Sequence, residues 1–497
     1  MLNKILIANR GEIAVRIIRA CKELGITSAG VYSDADKHTL HTLLADESYY
    51  IGEAQASSSY LNKEKIINLA REIKADAIHP GYGFFSENSE FIKMVEDAGI
   101  IFIGPSYASV KMMGSKTEAR TLMQRNNVPI VPGTTQILQS VKEGIKIGKE
   151  IGFPVLLKAS AGGGGKGMRK VSSEKEFEDA FEAAKRESLK AFGSEEIYIE
   201  KYIESPRHIE VQVIADKHGN YAHLFERECS IQRRHQKIIE EAPSSFVDPE
   251  TREKITSAAI NAAKACNYYN AGTIEFLMDN NKNFYFLEMN TRLQVEYPVT
   301  EFITGIDLVK EQISIAEGNK LSFNQGDITI RGHAIESRIY AEDPDNNFLP
   351  STGKILEYIE PAGPGVRVDG GFVAGSEISL YYDPLISKLV CYGKDRNTAI
   401  KKMQRALNEY HIAGLITNIY FLSGIFIQKD FYDGRFDINY VEREFLDKQK
   451  DRKEISESET IAALFSAILK KKSALNGKVL TGNSKQSMNR WTEQFDE

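Results

Sequence analysis

Short apolar runs alternate with amphipathic stretches through the first hundred residues. Lys4-Ile-Leu-Ile-Ala8 reads as a buried strand. After Gly11, the positions Ile13, Ile17, Ile18, Cys21 and Leu24 recur at helical spacing until Gly25 stops the helix. Residues 28–32, 75–79 and 100–103 repeat the strand signal between helical segments. Residues 1–110 are therefore predicted to form a doubly wound parallel sheet. Its first turn carries Gly11 alone, not G-x-G-x-x-G, which argues against dinucleotide binding. Residues 115–320 hold a glycine-rich segment at 162–167 and later hairpin signals. From about 330 to 445 the pattern is strand-rich, with turns predicted at 361–365 and 369–371 and a helix near 395–410. A charged run spans 447–454, and beyond it Ile461, Leu464, Phe465, Ile468 and Leu469 share one helical face.

The strongest chemical signal comes from two β-prone runs, Gly272–Met278 and Phe284–Asn290, flanking Asp279-Asn-Asn-Lys-Asn283. This reads as a hairpin. If Asp279 pairs with Phe284, Glu275 faces Glu288. Opposed carboxylates on one face have Cβ atoms about 4.5–5.5 Å apart and repel, so a cation is expected between them. A hard divalent ion with oxygen ligands fits, with Asn290 on the same face as Glu288. A solvated acidic face is the plainer alternative. Polar groups continue at Arg292, Gln294 and Glu296. A straight strand would carry Glu296 about 26 Å from Glu288 at ~3.3 Å per residue. One reaction centre needs atoms within about 3–3.5 Å. The chain is therefore predicted to leave the strand after Asn290 and curl around a second ligand.

Lys158 ends an apolar strand and precedes Gly162-Gly-Gly-Gly-Lys166-Gly. Glycines let backbone N–H groups wrap phosphate oxygens, and lysine neutralises their charge. No G-K-[S/T] follows, so this is not a Walker A loop. Arg227 to Lys237 concentrates four cations, which reads as an anion-binding stretch, while Cys229 is expected to act as a small hydrophobe.

Composition narrows the function classes. At 497 residues the chain has room for about three domains of roughly 150 residues. With 63 basic and 69 acidic residues the net charge is −6, which disfavours nucleic acid as a partner. No apolar stretch approaches the ~18–20 residues that span a bilayer, and the N-terminus turns polar too soon for a secretory signal. Four cysteines lack CxxC pairing, so a reducing, cytoplasmic setting without membrane contact is expected.

Ile7-Ala-Asn-Arg-Gly-Glu-Ile-Ala, His79-Pro-Gly-Tyr-Gly-Phe-Phe-Ser-Glu-Asn, Gly162-Gly-Gly-Gly-Lys-Gly-Met, Gln232-Arg-Arg-His-Gln-Lys and Glu288-Met-Asn-Thr-Arg-Leu-Gln-Val-Glu, in this order, resemble biotin carboxylase over about residues 1–445. The resemblance implies a mixed α/β and α+β architecture, the ATP-grasp fold. Its parts would be a doubly wound pre-ATP-grasp domain at 1–113, an ATP-grasp domain at 114–325 with a glycine-rich mobile lid at about 131–203, and a mixed C-terminal domain at 330–445. Residues 446–497 would add a linker, an amphipathic helix and a tail. The implied reaction is carboxylation of biotin by ATP and bicarbonate through carboxyphosphate. Lys116 and Lys158 would hold ATP phosphates under Gly164 and Gly165. Glu200, Lys201, Tyr202 and Ile203 would form the adenine hinge, and His208, Gln232 and His235 would complete the nucleotide pocket. Glu275, Glu288 and Asn290 would bind Mg2+ or Mn2+, two ions being expected. Lys237, Arg292, Gln294 and the Val295 backbone would hold bicarbonate, with Glu296 as base. Glu296 is expected to stay ionised beside Arg292. Arg338 would stabilise the biotin enolate and Tyr82 would line the ureido pocket. Tyr297 stands where the family usually has His. No Met-Lys-Met carrier motif occurs, and no segment of carboxyltransferase length follows residue 445. The chain is therefore expected to be a stand-alone, homodimeric component served by a separate biotin carrier protein and a carboxyltransferase. Acetyl-CoA carboxylase is the first expectation. The alternatives are propionyl-CoA or other acyl-CoA carboxylase, and a pyruvate carboxylase built from two kinds of polypeptide. Another ATP-grasp carboxylate ligase is the more distant reading.

Overall fold

Five strands, β1 (Lys4–Ile7), β2 (Thr27–Ser33), β3 (Glu47–Gly52), β4 (Ala77–His79) and β5 (Ile101–Phe102), form a parallel sheet in the order β3-β2-β1-β4-β5. This is the doubly wound arrangement expected, with β3 the strand that the apolar pattern did not show. The computed structural model describes residues 1–160, 168–447 and Phe465. Gly164 and Gly165, the charged run from 448 onward and the 461–469 helical face apart from Phe465 lie outside the described residues. Order reverses between β1 and β4, and chain reversals of this kind open a crevice at the strands' carboxyl ends. Asn9 closes it from one side, its Nδ2 donating to the Pro80 and Tyr82 carbonyls at 2.6 and 2.8 Å. Gly81 takes φ +61° there, and a Cβ on it would stand 2.8 Å from Asn9 Nδ2.

A three-stranded antiparallel sheet follows, with β6 (Val155–Ala159) between β7 (Met168–Val171) and β8 (Ile197–Lys201). Leu138, Val155, Leu157, Val171, Phe177 and Phe181 give it a core of its own. The largest sheet is antiparallel and has eight strands. It runs from β13 (Phe284–Asn290) through β12 (Asn270–Met278), β9 (Arg207–Ala215), β10 (Tyr221–Arg233), β11 (Gln236–Ala242) and β14 (His333–Tyr340) to the strands Leu385–Gly393 and Val366–Gly370. Pairing of β11 with β14 carries this sheet unbroken across residues 325–330, so the C-terminal segment extends the same sheet. The turn expected at 369–371 is a correction. Asp369 and Gly370 pair with Lys388 and Ser387 inside a strand, because the Asp369 carboxylate is taken by Arg367 at 2.7 Å and is unavailable to cap a turn. Gly371 permits close approach to the 11–24 helix, since a Cβ would meet the Glu12 nitrogen at 2.7 Å.

Two apolar layers hold the large sheet. Helices Lys116–Arg125 and Pro249–Ala265 cover Val211, Ile274, Phe276, Met278 and Phe286. On the other side the first helix contributes Ile13, Ile17 and Ile18 to a cluster that includes Ile214, Leu224, Leu293 and Tyr297. The amino-terminal sheet is thus fastened to the back of the 293–297 segment. The chain divides into two units, residues 1–441 and 442–497. Among the described residues no helix is long and apolar enough to cross a membrane.

Candidate active site

The β12–β13 hairpin brings Glu275 opposite Glu288, as the spacing predicts, by a route the spacing does not predict. At the turn Asp279 bonds Asn283 and Met278 pairs with Phe284, one residue out of the expected register. Unbroken, that ladder would set Glu275 against Leu287. A β-bulge between the Phe276–Phe286 and Glu275–Glu288 pairs restores it. The bulge also resets which face each residue takes. Phe286 and Met289 are in the core, while Leu287, Glu288 and Asn290 border a cavity of about 630 Å3. Strict period-2 alternation would have placed Phe286 and Glu288 on one face.

The chain leaves the strand after Asn290 and curls before the Tyr297–Thr304 helix, as expected. Of the predicted residues among those described, all but Tyr82 border this cavity. At one end Lys158, from β6, donates to Glu200 of β8 at 2.8 Å. Arg120 also holds Glu200 and donates to the Val131 carbonyl at 2.9 Å. Burial opposes the Lys158 charge, and Glu200 outweighs it, keeping the ammonium above its ordinary value. Burial pushes the Lys116 ammonium down, and Glu288 pulls it partly back. Lys201 turns its Nζ away to the Gly152 carbonyl at 2.8 Å, leaving the 200–203 backbone and Tyr202 along the wall. His208 Nε2 stands 3.1 Å from Glu275. Gln232 donates to the Cys229 carbonyl at 2.8 Å, and His235 sits exposed in the β10–β11 turn. Ile438 and Asn439 complete this end. The sequence reading missed them because they arrive from the far end of the chain, with Ile438 N–H bonded to the Pro206 carbonyl.

At the other end Lys237 donates to Glu210, Glu275 and Glu296 at 2.6, 2.8 and 2.7 Å. Glu275 also accepts from Asn290 Nδ2 at 2.8 Å and Gln294 Nε2 at 2.6 Å. Burial would raise the Glu275 carboxyl, but Lys237 and His208 hold it well below the ordinary range. Glu288 differs. Burial first, then Glu275, push its carboxyl up, and no described residue donates a hydrogen bond to it. Burial likewise opposes ionisation of Glu296, and Lys237, Arg338 and Arg227 outweigh it. Glu296 is ionised as expected, but through different cations. Arg292 is engaged by Glu87 at 2.8 Å and by the Asn290 side-chain carbonyl at 2.9 Å. Arg338 bridges Glu240 at 2.7 Å and Glu296 at 3.0 Å.

The reading of 227–237 as an anion-binding stretch needs correction, and Tyr82 lies apart from this cavity. Tyr82 is not among the residues that border it, and Asn9 holds its backbone carbonyl at the β1–β4 crevice. Its ring packs against the cluster that holds Leu293 and Tyr297, and faces Lys388, whose Nζ is 5.9 Å from the ring and 2.9 Å from the Val295 carbonyl. Of the four cations at 227–237, only Lys237 faces the cavity. Arg227 is wholly buried and binds Glu210, Gln212, Thr273, Gln294 and Thr300, orienting the loop from beneath. Cys229 is buried, and burial pushes its thiol up, so it is a quiet hydrophobe as expected.

Residues 1–110 match the family model "Biotin carboxylase, N-terminal domain", and residues 336–443 match "Biotin carboxylase C-terminal domain". Residues 115–324 match "Carbamoyl-phosphate synthase L chain, ATP binding domain". A protein of Nostoc sp. named biotin carboxylase is 52% identical over 440 residues, which are 88% of this chain and 98% of that one. The chain belongs to the biotin carboxylase family. Its fold is accordingly the ATP-grasp fold behind a doubly wound domain, and it is an enzyme of the ligase class. A pyruvate carboxylase polypeptide of Methanothermobacter thermautotrophicus is 53% identical over 89% of this chain and 90% of its own length. The mitochondrial propionyl-CoA carboxylase alpha chain of Sus scrofa is 50% identical over 91% of this chain, which spans 62% of that relative's length. Among solved structures, the biotin carboxylase domain dimer of Hydrogenobacter thermophilus 2-oxoglutarate carboxylase, in complex with MgADP, ADP and bicarbonate, superposes with a TM-score of 0.85. It is 50% identical and covers 89% of this chain and 98% of its own.

Proposed function

We propose that the chain carboxylates biotin on a separate carrier protein, using ATP and bicarbonate, through carboxyphosphate. One observation carries this reading. Lys237 joins Glu275, one of the paired carboxylates, to Glu296 at the acid–base end, so the two ends share one charge network. Bicarbonate oxygen attacks the γ-phosphorus, and the bond to the bridging oxygen breaks to release ADP. Carboxyphosphate parts into CO2 and phosphate. The phosphate takes the ureido N–H proton, and the enolate's nitrogen attacks CO2. Lys116 and Lys158 neutralise phosphate oxygens, since phosphoryl transfer asks for positioning and charge neutralisation more than covalent chemistry. By the resemblance, Gly164 and Gly165 would cover the phosphates. Glu200, Lys201, Tyr202, Ile203, His208, Gln232 and His235 take the nucleoside side.

The donor set fits Mg2+ or Mn2+. Glu275 and Glu288 are hard oxygen ligands crowded together, with Asn290 beside them, and Glu288 has no competing donor among the described residues. The ion would supply positive charge at the transferring phosphoryl group. Support for nucleotide, magnesium and bicarbonate together is the ligand set of the Hydrogenobacter neighbour. Lys237, Arg292, Gln294 and the Val295 backbone hold bicarbonate, and Glu296 removes its proton. The Arg338 fork suits the enolate oxygen. The same neighbour's dimer supports a homodimer. Four buried free cysteines suit a reducing, cytoplasmic setting.

Acetyl-CoA is our first reading of the final acceptor. Relatives named for propionyl-CoA and pyruvate are as similar, at 50 and 53% identity, and the acceptor is met on the transferase rather than in this cavity. Copurifying the native complex and assaying it with the three acceptors decides between them. The core reading is tested by ADP release with bicarbonate and biotin added separately and together. A requirement for both supports it. Cleavage driven by another carboxylate, with bicarbonate inert, replaces it with a different ATP-grasp ligase.

A further inference from the structure

We infer that Lys388 is a positioning residue for the bicarbonate loop, acting through the Val295 carbonyl; this rests on the bicarbonate reading above. Lys388 projects from the Leu385–Gly393 strand and has no exposed surface. Its Nζ donates to the Val295 carbonyl at 2.9 Å. Glu12 of the first helix lies 3.2 Å away and Asp369 3.9 Å away. The Tyr297 ring faces it with its centroid at 4.4 Å. A buried ammonium is costly unless its partners offset lost hydration. Two carboxylates and an aromatic face do so here, and none of them borders the cavity.

The neighbouring loop residues are fastened in the same manner by other cations. Gln294 Oε1 accepts from Arg227 at 2.9 Å, and Glu296 accepts from Lys237 and Arg338. Lys388 differs in gripping the backbone. It fixes the peptide plane joining Val295 to Glu296, and with it the Glu296 N–H and the point from which the Glu296 side chain leaves the backbone. Because Glu12 comes from the amino-terminal domain and Lys388 from the C-terminal segment, the loop is referenced to both. Tyr297 gains a role that its departure from the family pattern left open. Its hydroxyl is buried without a hydrogen-bond partner among the described residues, so what the position supplies is the ring face under Lys388.

The test uses Lys388→Met and the double variant Lys388→Met/Glu12→Gln, which removes the carboxylate that the single change would leave unpaired. Arg292→Ala serves as reference. KM for bicarbonate is measured in biotin-dependent ATP cleavage, and ADP affinity by calorimetry. The expected result is a rise of at least about tenfold in bicarbonate KM with ADP affinity within about twofold, since a loop displaced by an ångström loses orientation without losing the nucleotide site. Unchanged bicarbonate KM in the Lys388 variants, with Arg292→Ala raising it, overturns the inference. Unchanged KM in all of them, Arg292→Ala included, overturns the bicarbonate reading itself. A parallel loss of ADP affinity means a merely structural lysine and also overturns the inference. If neither Lys388 variant folds, Tyr297→Leu, which keeps every charge, is read by the same criteria.

Discussion

Glu275 and Glu288 have the same side chain, yet their surroundings give them opposite tendencies. Lys237, Asn290 and Gln294 bind one, while burial and repulsion raise the other. Removing the unpaired charge should therefore separate stability from activity. Glu288→Gln is expected to stabilise the metal-free protein by about 0.5–1 kcal/mol, the scale of one like-charge cross-strand pair, while raising the Mg2+ needed for half-maximal ATP cleavage. Thermal melting without metal and an Mg2+ titration check the two halves. Glu296→Gln should lower biotin-dependent ATP cleavage by about 10²–10⁴-fold, the usual worth of a general base, with ADP affinity retained in a calorimetric titration. The opposed carboxylates were legible because strand pairing converts spacing into contact. Glu210 and Lys388 were not, nor was the inward aim of Arg227, since their partners lie on other strands.

The β12–β13 hairpin shows how far an element can be read. Its strands and its pairing of Glu275 with Glu288 followed from pattern, but the turn register did not, and the bulge compensated for the difference. Phe284, Phe286, Glu288 and Asn290 all have even numbers, and an apolar pair followed by a polar pair of one parity is the mark of a change of face. A second element carries a prediction of its own. The Ser89–Asp97 helix is capped by Asn88, whose side chain accepts from Phe91 N–H at 2.8 Å, and the preceding Glu87 pairs with Arg292. Asn88→Ala should cost about 1 kcal/mol, measured as a lower urea midpoint at unchanged slope. Because Glu87 then loses its fixed start of helix, bicarbonate KM should rise while ADP affinity stays.

Across the whole molecule, stability against acid depends on histidines that the fold keeps neutral. Burial pushes His41 down to about 4 and His79 down to about 3. A depressed histidine contributes stability that is complete above its unfolded value near 6.5 and is lost as pH falls through the folded value. Glu12 and Glu240, raised by burial to about 7, work in the opposite sense. The prediction therefore concerns a difference: the melting temperature of wild type minus that of His41→Gln should shrink as pH falls from 6.5 to 4. Through the family resemblance the sequence named most of the residues that border the cavity, and by itself it determined the strand–helix alternation, the doubly wound domain and the facing acids. Those depend on neighbours within one element or one hairpin, where spacing and backbone geometry suffice. Tertiary structure alone decided which cation meets which acid, that Tyr82 stands back from the cavity, and that Ile438 and Asn439 enter it. Those pairings join segments from opposite ends of the chain, and they are chosen by the packing of shared cores and the cost of leaving a buried charge unmatched.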